Sequence, residues 1–228
     1  MNPNVRQPGK LWISLGLILL LLGGFIALTA ETLERDAEIT ATDYLILSWI
    51  AQFRSSALNG IMVDLTALGS PTIVTLLSVM FFLVFLLLRD RVSALQLATA
   101  SIGGGMLSRL FKHTIARERP DIVPRLVEVS GFSYPSGHAL FAAAIYLTLA
   151  ILAARHFERL GQRAVVFTLA VAVVAMVGLS RIYLGVHYPS DVASGILLGA
   201  AWAFILGAAM ARASQREPAV HTGRGGRK

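Results

Sequence analysis

Residues 135–154 read PSGHALFAAAIYLTLAILAA, so a short polar segment leads directly into a long apolar run. A run of this length is enough to cross the hydrocarbon core of a bilayer as an α-helix. Pro135 suits the first turn of that helix, Ser136 can cap it, and Gly137 allows an anion to approach the backbone closely. His138 adds an ionisable ring at the same point. The stretch therefore predicts a membrane helix with a polar site at its amino-terminal mouth.

The rest of the chain repeats this apolar pattern. Hydrophobic residues make up 55% and charged residues 14% of its 228 residues, a composition that differs from that of an ordinary soluble domain. We expect an all-α fold, a six-helix transmembrane bundle that forms a single membrane domain over residues 1–228. Besides 137–154, the predicted spans are 11–30, 71–88, 92–108, 164–180 and 191–211. Cysteine is absent, which excludes disulfides, thiolate metal sites and a cysteine nucleophile.

The first apolar run has a competing interpretation as a signal peptide, because Arg6 and Lys10 precede it. However, it exceeds the usual apolar length of about 7–15 residues, and no clean small-residue cleavage site follows it. We therefore expect a retained membrane helix.

Residues 31–70, between the first and second predicted spans, have a different pattern. From Asp43 to Leu68 the apolar residues recur at helical spacing, which Asn59-Gly60 interrupts. This pattern predicts two short external amphipathic helices that lie on the outer leaflet.

The distribution of basic residues sets the expected orientation in the inner cell membrane. With six spans both termini lie on one side, and the positive-inside rule makes that side the cytoplasm. It holds twelve of the twenty basic residues, namely Arg6, Lys10, Arg89, Arg91, Arg155, Arg159, Arg163, Arg212, Arg216, Arg224, Arg227 and Lys228. We expect the tail at 214–228 to be a disordered basic strand near the lipid surface, not a nucleic-acid site.

Ionisable residues also concentrate on the opposite, extracytoplasmic side. They include Lys112, Arg119, Arg181, His138, His187 and Asp191, which share one depth if the six-span count holds. Single basic residues at helix ends are ordinarily interface anchors, but anchors do not explain two histidines and an aspartate at the same depth. Cations beside a helix amino terminus favour an anion, and phosphate fits that description.

Spacing within this set predicts how its members meet. Lys112 and Arg119 are seven residues apart, so on a helix they would share one face. Asp191 lies four residues after His187 and could orient its ring, although Pro189 argues against a continuous helix between them. A neutral imidazole oriented by a carboxylate can accept a phosphoryl group, and the second histidine could protonate the departing oxygen.

Three motifs stand in order within residues 112–191. They are Lys112 followed after six residues by Arg119-Pro120; Pro135-Ser136-Gly137-His138; and Ser180-Arg181, five residues, His187, three residues and Asp191. In these motifs and in its six-span layout the chain resembles the integral-membrane lipid phosphatases of the type 2 phosphatidic acid phosphatase superfamily.

The resemblance implies a phosphatase without a metal or other cofactor, whose partners are a phosphorylated lipid and the membrane. It implies that His187 is the nucleophile, that Asp191 is its partner and that His138 is the general acid. The implied phosphate-binding residues are Lys112, Arg119, Ser136, Gly137 and Arg181.

Several functional alternatives stay open at this point. Bacterial members of the family act on phosphatidylglycerophosphate, undecaprenyl diphosphate, phosphatidic acid or lipid A, and neither the substrate nor the oligomeric state follows from the sequence. A phosphotransferase would use an alcohol in place of water. A transporter or channel is disfavoured, because the polar groups gather at one mouth and the span interiors are almost purely apolar.

Two further features have two interpretations each. Arg117, Glu118 and Asp121 either orient the motif side chains or form a solvated loop face. Gly195 and Gly199 form a small-xxx-small pattern, which favours close packing within the bundle over dimerisation.

Overall fold

The structure, a computed structural model, describes residues 8–34 and 37–214. These residues form eight α-helices and no strand, which confirms the all-α prediction. The helices are α1 (Pro8–Glu34), α2 (Ala37–Ala51), α3 (Ser56–Ala67), α4 (Pro71–Leu87), α5 (Arg91–Ile115), α6 (Gly137–Ala154), α7 (Leu160–Tyr183) and α8 (Pro189–Ser214). Three predicted features lie outside the described residues: Arg6, the side chain of Lys10 and the basic tail beyond Ser214.

Within the described ranges, four helices are long and apolar enough to cross a membrane, namely α1, α6, α7 and α8. Helices α3 and α4 are bent by 42° at a short break and meet the same criterion together, so the count is four or five. By itself α4 has only 17 residues. In α5 a glutamine, three consecutive glycines and a basic last turn lower the hydropathy. Length and composition thus support a multi-pass membrane protein but do not confirm six spans.

The segment between the first and second predicted spans does contain two helices, but they break at a different point. The chain leaves α2 after Ala51 and begins α3 at Ser56, where the Ser55 side chain caps the helix by accepting from the Leu58 amide. Asn59-Gly60 lies inside α3. The cap at Ser55 sets the start of the helix, and a single internal glycine costs only about 1 kcal/mol.

Helix α2 has one face against the bundle and one face outward. Asp43, Leu47 and Ile50 are buried, whereas Leu45 and Trp49 are largely exposed. A helix that lay on the leaflet alone would not bury a carboxylate. The predicted external location of α2 is therefore not confirmed, because one of its faces belongs to the packed interior.

Helix α6 is the central helix and contacts α4, α5, α7 and α8. Two glycines of α8 let the two backbones approach closely. A Cβ atom at Gly195 would lie 2.6 Å from the carbonyl oxygen of Ser136, and one at Gly199 would overlap the carbonyl oxygen of Leu140. These contacts confirm that the small-xxx-small pattern serves packing within the bundle.

This packing also places the amino-terminal ends of α6 and α8 side by side. The Ser136 amide donates to the backbone carbonyl of Asp191 at 2.9 Å. Helices α5 and α7 end at the same mouth, since residues 116–136 connect α5 to α6 and residues 184–188 connect α7 to α8. Four helix ends and two loops therefore surround one volume.

Replacement of Gly199 by alanine should destabilise the bundle, because the new methyl group would overlap the α6 backbone. Overpacking of this kind costs about 1–3 kcal/mol. Gly23→Ala is the matched control, since no atom lies within 4 Å of its Cβ position, and alanine is the better helix former by roughly 1 kcal/mol. Thermal unfolding in detergent should show a lower Tm for Gly199→Ala and an unchanged or higher Tm for Gly23→Ala. Equal Tm values would contradict this account of the α6–α8 contact.

Candidate active site

All eight residues predicted to form the site lie around the mouth where α5, α6, α7 and α8 meet. Lys112 is in the last turn of α5 and Arg181 in the last turn of α7. Ser136, Gly137 and His138 begin α6, Asp191 lies in the first turn of α8, and Arg119 and His187 lie in the two connecting loops. His138 lies close enough to Arg181, His187, Lys112 and Arg119 to interact with each of them electrostatically. The two histidines therefore belong to one cluster.

Asp191 and His187 form the buried centre of this cluster. The Asp191 side chain is fully buried and that of His187 is 2% exposed. Their closest atoms, His187 Nδ1 and Asp191 Oδ2, are 3.5 Å apart. Helix α8 begins at Pro189, so His187 lies in the preceding loop and Asp191 in the helix, as the proline predicted. The amide of Tyr188 adds a hydrogen bond to Asp191 Oδ2 at 2.9 Å.

Burial lowers the pKa of His187 from its ordinary value to about 3. The interaction with Asp191 opposes this shift, whereas the charges of Arg181 and Arg119 act in the same direction as burial. A ring whose charged form is disfavoured in this way is neutral at physiological pH. Neutral imidazole is the form of histidine that can act as a nucleophile, so the environment is compatible with that role for His187.

Arg119 reaches His187 by a route that the sequence pattern did not predict. Helix α5 ends at Ile115, and Ala116 takes a left-handed conformation with φ 48°, so Lys112 and Arg119 do not share a helix face. The prediction of a shared face is wrong. Arg119 Nη1 nevertheless lies 3.2 Å from His187 Nε2. Its guanidinium is held by backbone carbonyls of the same mouth, those of Ser130, Gly131, Phe132 and Val186.

Two buried donors at the mouth lack a partner within the described part of the chain. They are the hydroxyl of Ser136 and Nε of Arg181, whose residues are 0% and 3% exposed. Arg181 is held in place by Nη1, which donates to Thr66 Oγ1 at 2.9 Å, and Lys112 Nζ donates to the Phe132 carbonyl at 2.6 Å. Since a buried donor without an acceptor costs roughly 1–3 kcal/mol, the arrangement fits an anion that supplies acceptors.

Arg117 lies behind Asp191 and links it to α2. Its Nη1 donates to Asp191 Oδ1 and to Ser190 Oγ, both at 2.7 Å, and its Nη2 donates to Asp43 Oδ2 at 2.8 Å. The guanidinium also lies over the ring of Tyr188, 4.1 Å from its centroid. Arg117 therefore orients motif residues.

Glu118 and Asp121, for which the sequence left the same two interpretations, are exposed. They form the solvated face of the loop that follows α5.

Sequence reasoning missed Asp43 and the role of Ser133. Asp43 accepts from the Ser190 amide at 2.9 Å and is 147 residues away from it in sequence. Its only local signal was a carboxylate on the apolar face that also carries Leu47 and Ile50. Ser133 stands beside a recognised motif and donates its hydroxyl to Asp191 Oδ2. Among the described residues, no group of three or more His, Asp or Glu side chains is placed to hold a metal ion.

Comparison with known proteins connects this geometry to a family. Residues 93–215 match the family model of the PAP2 superfamily, a region that includes all eight candidate residues. The chain is 33% identical over 181 residues to phosphatidylglycerophosphatase B of Bacillus subtilis, covering 77% of this chain and 86% of that protein. It is 30% identical over 158 residues to the undecaprenyl-diphosphatase of Sulfolobus acidocaldarius, covering 66% of this chain and 69% of that one.

A solved structure shares the fold described above. It is the crystal structure of a transmembrane PAP2 type phosphatidylglycerolphosphate phosphatase from Bacillus subtilis, with a TM-score of 0.77 and 29% sequence identity. The match covers 83% of this chain and 93% of that chain. The fold similarity therefore extends well beyond the motif region, into the amino-terminal half of the chain.

Replacement of Arg117 by alanine should strongly destabilise the protein, because it leaves Asp43 and Asp191 buried without their shared cation. Breaking a buried ion pair costs about 3–5 kcal/mol. Arg109→Ala serves as control, since Arg109 is exposed on α5; an exposed substitution should stay within roughly 0.5 kcal/mol. Thermal unfolding in detergent measures both variants, and similar Tm values for the two would show that the Asp43–Arg117–Asp191 contacts contribute little.

Proposed function

Because the chain belongs to the PAP2 superfamily and is therefore a phosphatase, we propose that it hydrolyses a lipid phosphate or lipid diphosphate at the mouth of α6. One observation carries the proposal: a buried, neutral His187 has one ring nitrogen directed to Asp191 and Ser133 and the other to Arg119. Two of its relatives are named for phosphatidylglycerophosphate and undecaprenyl diphosphate. Apolar helices that can cross a membrane bring a lipid substrate within reach of this site.

In this proposal five residues hold the phosphate. Lys112, Arg119 and Arg181 supply positive charge, and Ser136 supplies a hydroxyl donor from the first turn of α6. Gly137 keeps the approach open, since a Cβ atom there would lie 3.3 Å from Ser108 Oγ and 3.8 Å from Lys112 Cε. The amino-terminal end of α6 adds unpaired backbone amides and a dipole that favours an anion.

The reaction proceeds in two displacements. His187 Nε2 attacks phosphorus, the bond between phosphorus and the leaving oxygen breaks, and His138 gives that oxygen a proton. The departing group is a lipid alcohol, or a lipid monophosphate when the substrate is a diphosphate. Water then attacks the phosphohistidine, its proton passes to His138, and the electron pair of the N–P bond returns to Nε2 as inorganic phosphate leaves. The cations stabilise the charge on the phosphoryl oxygens in both transition states.

For the orientation we propose six spans, formed by α1, α4, α5, α6, α7 and α8, in the inner cell membrane. Both termini then face the cytoplasm and the catalytic mouth faces the extracytoplasmic side. The excess of basic residues on the termini and on the loops after α4 and α6 supports this orientation. A lipid in the outer leaflet could then reach His187 without crossing the bilayer.

His187→Ala should reduce phosphate release by roughly a thousandfold or more, because it removes the nucleophile. Purified protein in detergent with a chelator would be given phosphatidylglycerophosphate, undecaprenyl diphosphate and phosphatidic acid in parallel, and released phosphate would be measured. His156→Ala is the control, since His156 is exposed after α6, away from the mouth.

Undiminished turnover by His187→Ala would overturn the mechanism. Loss of wild-type activity in the chelator would show that a metal takes part. If added acceptor alcohols become phosphorylated while phosphate release falls, the protein is a phosphotransferase that uses the same intermediate.

The absence of cysteine makes the orientation directly testable. Asp121→Cys places a thiol in the exposed loop after α5, and Glu158→Cys places one in the exposed loop after α6. In intact cells a membrane-impermeant maleimide should label the first variant only, and permeabilisation should expose the second. Labelling of Glu158→Cys alone in intact cells would reverse the proposed topology.

A further inference from the structure

The hydroxyl of Ser133 lies between the two residues at the centre of the site. Ser133 Oγ is 3.2 Å from His187 Nδ1 and donates a short hydrogen bond to Asp191 Oδ2. The direct separation between His187 Nδ1 and Asp191 Oδ2 is longer, at 3.5 Å. Ser133 is 0% exposed, so water does not compete for these contacts.

The hydrogen-bond directions follow from the chemistry of the three groups. An ionised carboxylate only accepts, so the single hydroxyl proton of Ser133 goes to Asp191. The oxygen of Ser133 then has only lone pairs to offer to the ring, and His187 Nδ1 must carry the proton that it donates.

The contact of Arg119 with Nε2, on the other side of the His187 ring, independently places the ring proton on Nδ1. Arg119 has no acceptor atom, so its Nη1 can only donate to His187 Nε2, 3.2 Å away. A nitrogen that accepts from arginine carries no proton. The contacts at both ends of the ring therefore specify one tautomer, with the proton on Nδ1 and no proton on Nε2.

We propose that Ser133 is a positioning residue that connects Asp191 to His187 through its hydroxyl and sets this tautomer. The proposal rests on the proposed function, in which Nε2 is the attacking atom. Asp191 itself is held from other directions by Arg117 at Oδ1 and by the Tyr188 amide at Oδ2. The contact of the serine hydroxyl with the fixed carboxylate and its contact with the ring are each shorter than the direct separation of 3.5 Å between carboxylate and ring.

The hydrogen-bonded connection from Asp191 through the Ser133 hydroxyl to His187, here called the bridge, also acts during phosphoryl transfer. When Nε2 bonds to phosphorus, the ring becomes positively charged while the Nδ1 proton stays in place. The Nδ1–H donor strengthens its bond to Ser133, and the Ser133 hydroxyl orients the negative charge of Asp191 toward it. When the N–P bond breaks, the electron pair returns to Nε2, so no proton is gained or lost at Nδ1.

The backbone of Ser133 is anchored independently of its side chain. Its amide donates to the Arg117 carbonyl at 2.8 Å, and its carbonyl lies 3.4 Å from Lys112 Nζ. Removal of the hydroxyl should thus leave the loop in place. Ser133→Ala tests the bridge itself.

The kinetic test compares three variants on the lipid that the wild-type protein hydrolyses fastest. Ser133→Ala should lower kcat by roughly tenfold to a hundredfold, the usual effect of removing a partner that orients a functional imidazole. KM should stay within about twofold, since the hydroxyl does not reach the phosphate donors. Ser133→Thr keeps a hydroxyl and should recover most of kcat. Ser78→Ala is the control, because Ser78 Oγ is a buried hydroxyl bonded to the Val74 carbonyl at 2.7 Å, on α4.

A spectroscopic test of the wild-type tautomer depends neither on activity nor on a folded Ser133→Ala variant. The chain has five histidines, and His187→Ala identifies the His187 signals in ¹⁵N-histidine-labelled protein. Wild-type His187 should show the Nδ1–H tautomer, and Ser133→Ala should shift its Nδ1–H resonance. An Nε2–H tautomer in the wild type would overturn the proposal.

The outcomes separate this proposal from the proposed function. An inactive His187→Ala with an unchanged kcat in Ser133→Ala would overturn the bridge alone, as would a loss confined to KM. An active His187→Ala would overturn the function on which the bridge rests. A low kcat in Ser133→Ala, restored in Ser133→Thr and absent in Ser78→Ala, supports the bridge.

Discussion

The buried carboxylate of Asp191 is the constraint on which the rest of the site depends. A charge taken out of water is tolerated only when donors and counter-charges surround it. Asp191 obtains them from three separate parts of the chain: Arg117 after α5, Ser133 before α6 and the Tyr188 amide before α8. To supply these donors, the long loop between α5 and α6 must fold over the amino-terminal end of α8.

The need to surround buried charge with donors and counter-charges also involves α2. Arg117 is itself largely buried, and a second carboxylate, Asp43, shares its charge. Asp43 in turn accepts from Ser190, one residue before Asp191, so the contacts form a closed group. These contacts hold α2 against the mouth. Its outward face keeps the exposed Leu45 and Trp49.

The charges around the mouth are consistent with the proposed binding of phosphate. Arg117 pairs with both Asp191 and Asp43, whereas Lys112, Arg119 and Arg181 have no acidic partner among the ion pairs of the described residues. In the proposed function, a bound phosphate would supply negative charge and would accept from the unpartnered donors Ser136 Oγ and Arg181 Nε. The close α6–α8 contact at Gly195 supports this arrangement, because it brings the amino-terminal ends of both helices to the same side.

The sequence by itself determined the helical membrane character and the eight candidate residues around one mouth, because apolar length and motif spacing are properties of neighbouring residues. It did not predict that Ala116 turns the chain out of α5, so Arg119 reaches His187 through a loop. Only the tertiary structure decided which donors surround Asp191 and that Asp43 joins them. The physical reason is that these hydrogen bonds join residues as much as 147 positions apart, and the cost of burying a charge is met by whichever groups the folded chain brings within reach.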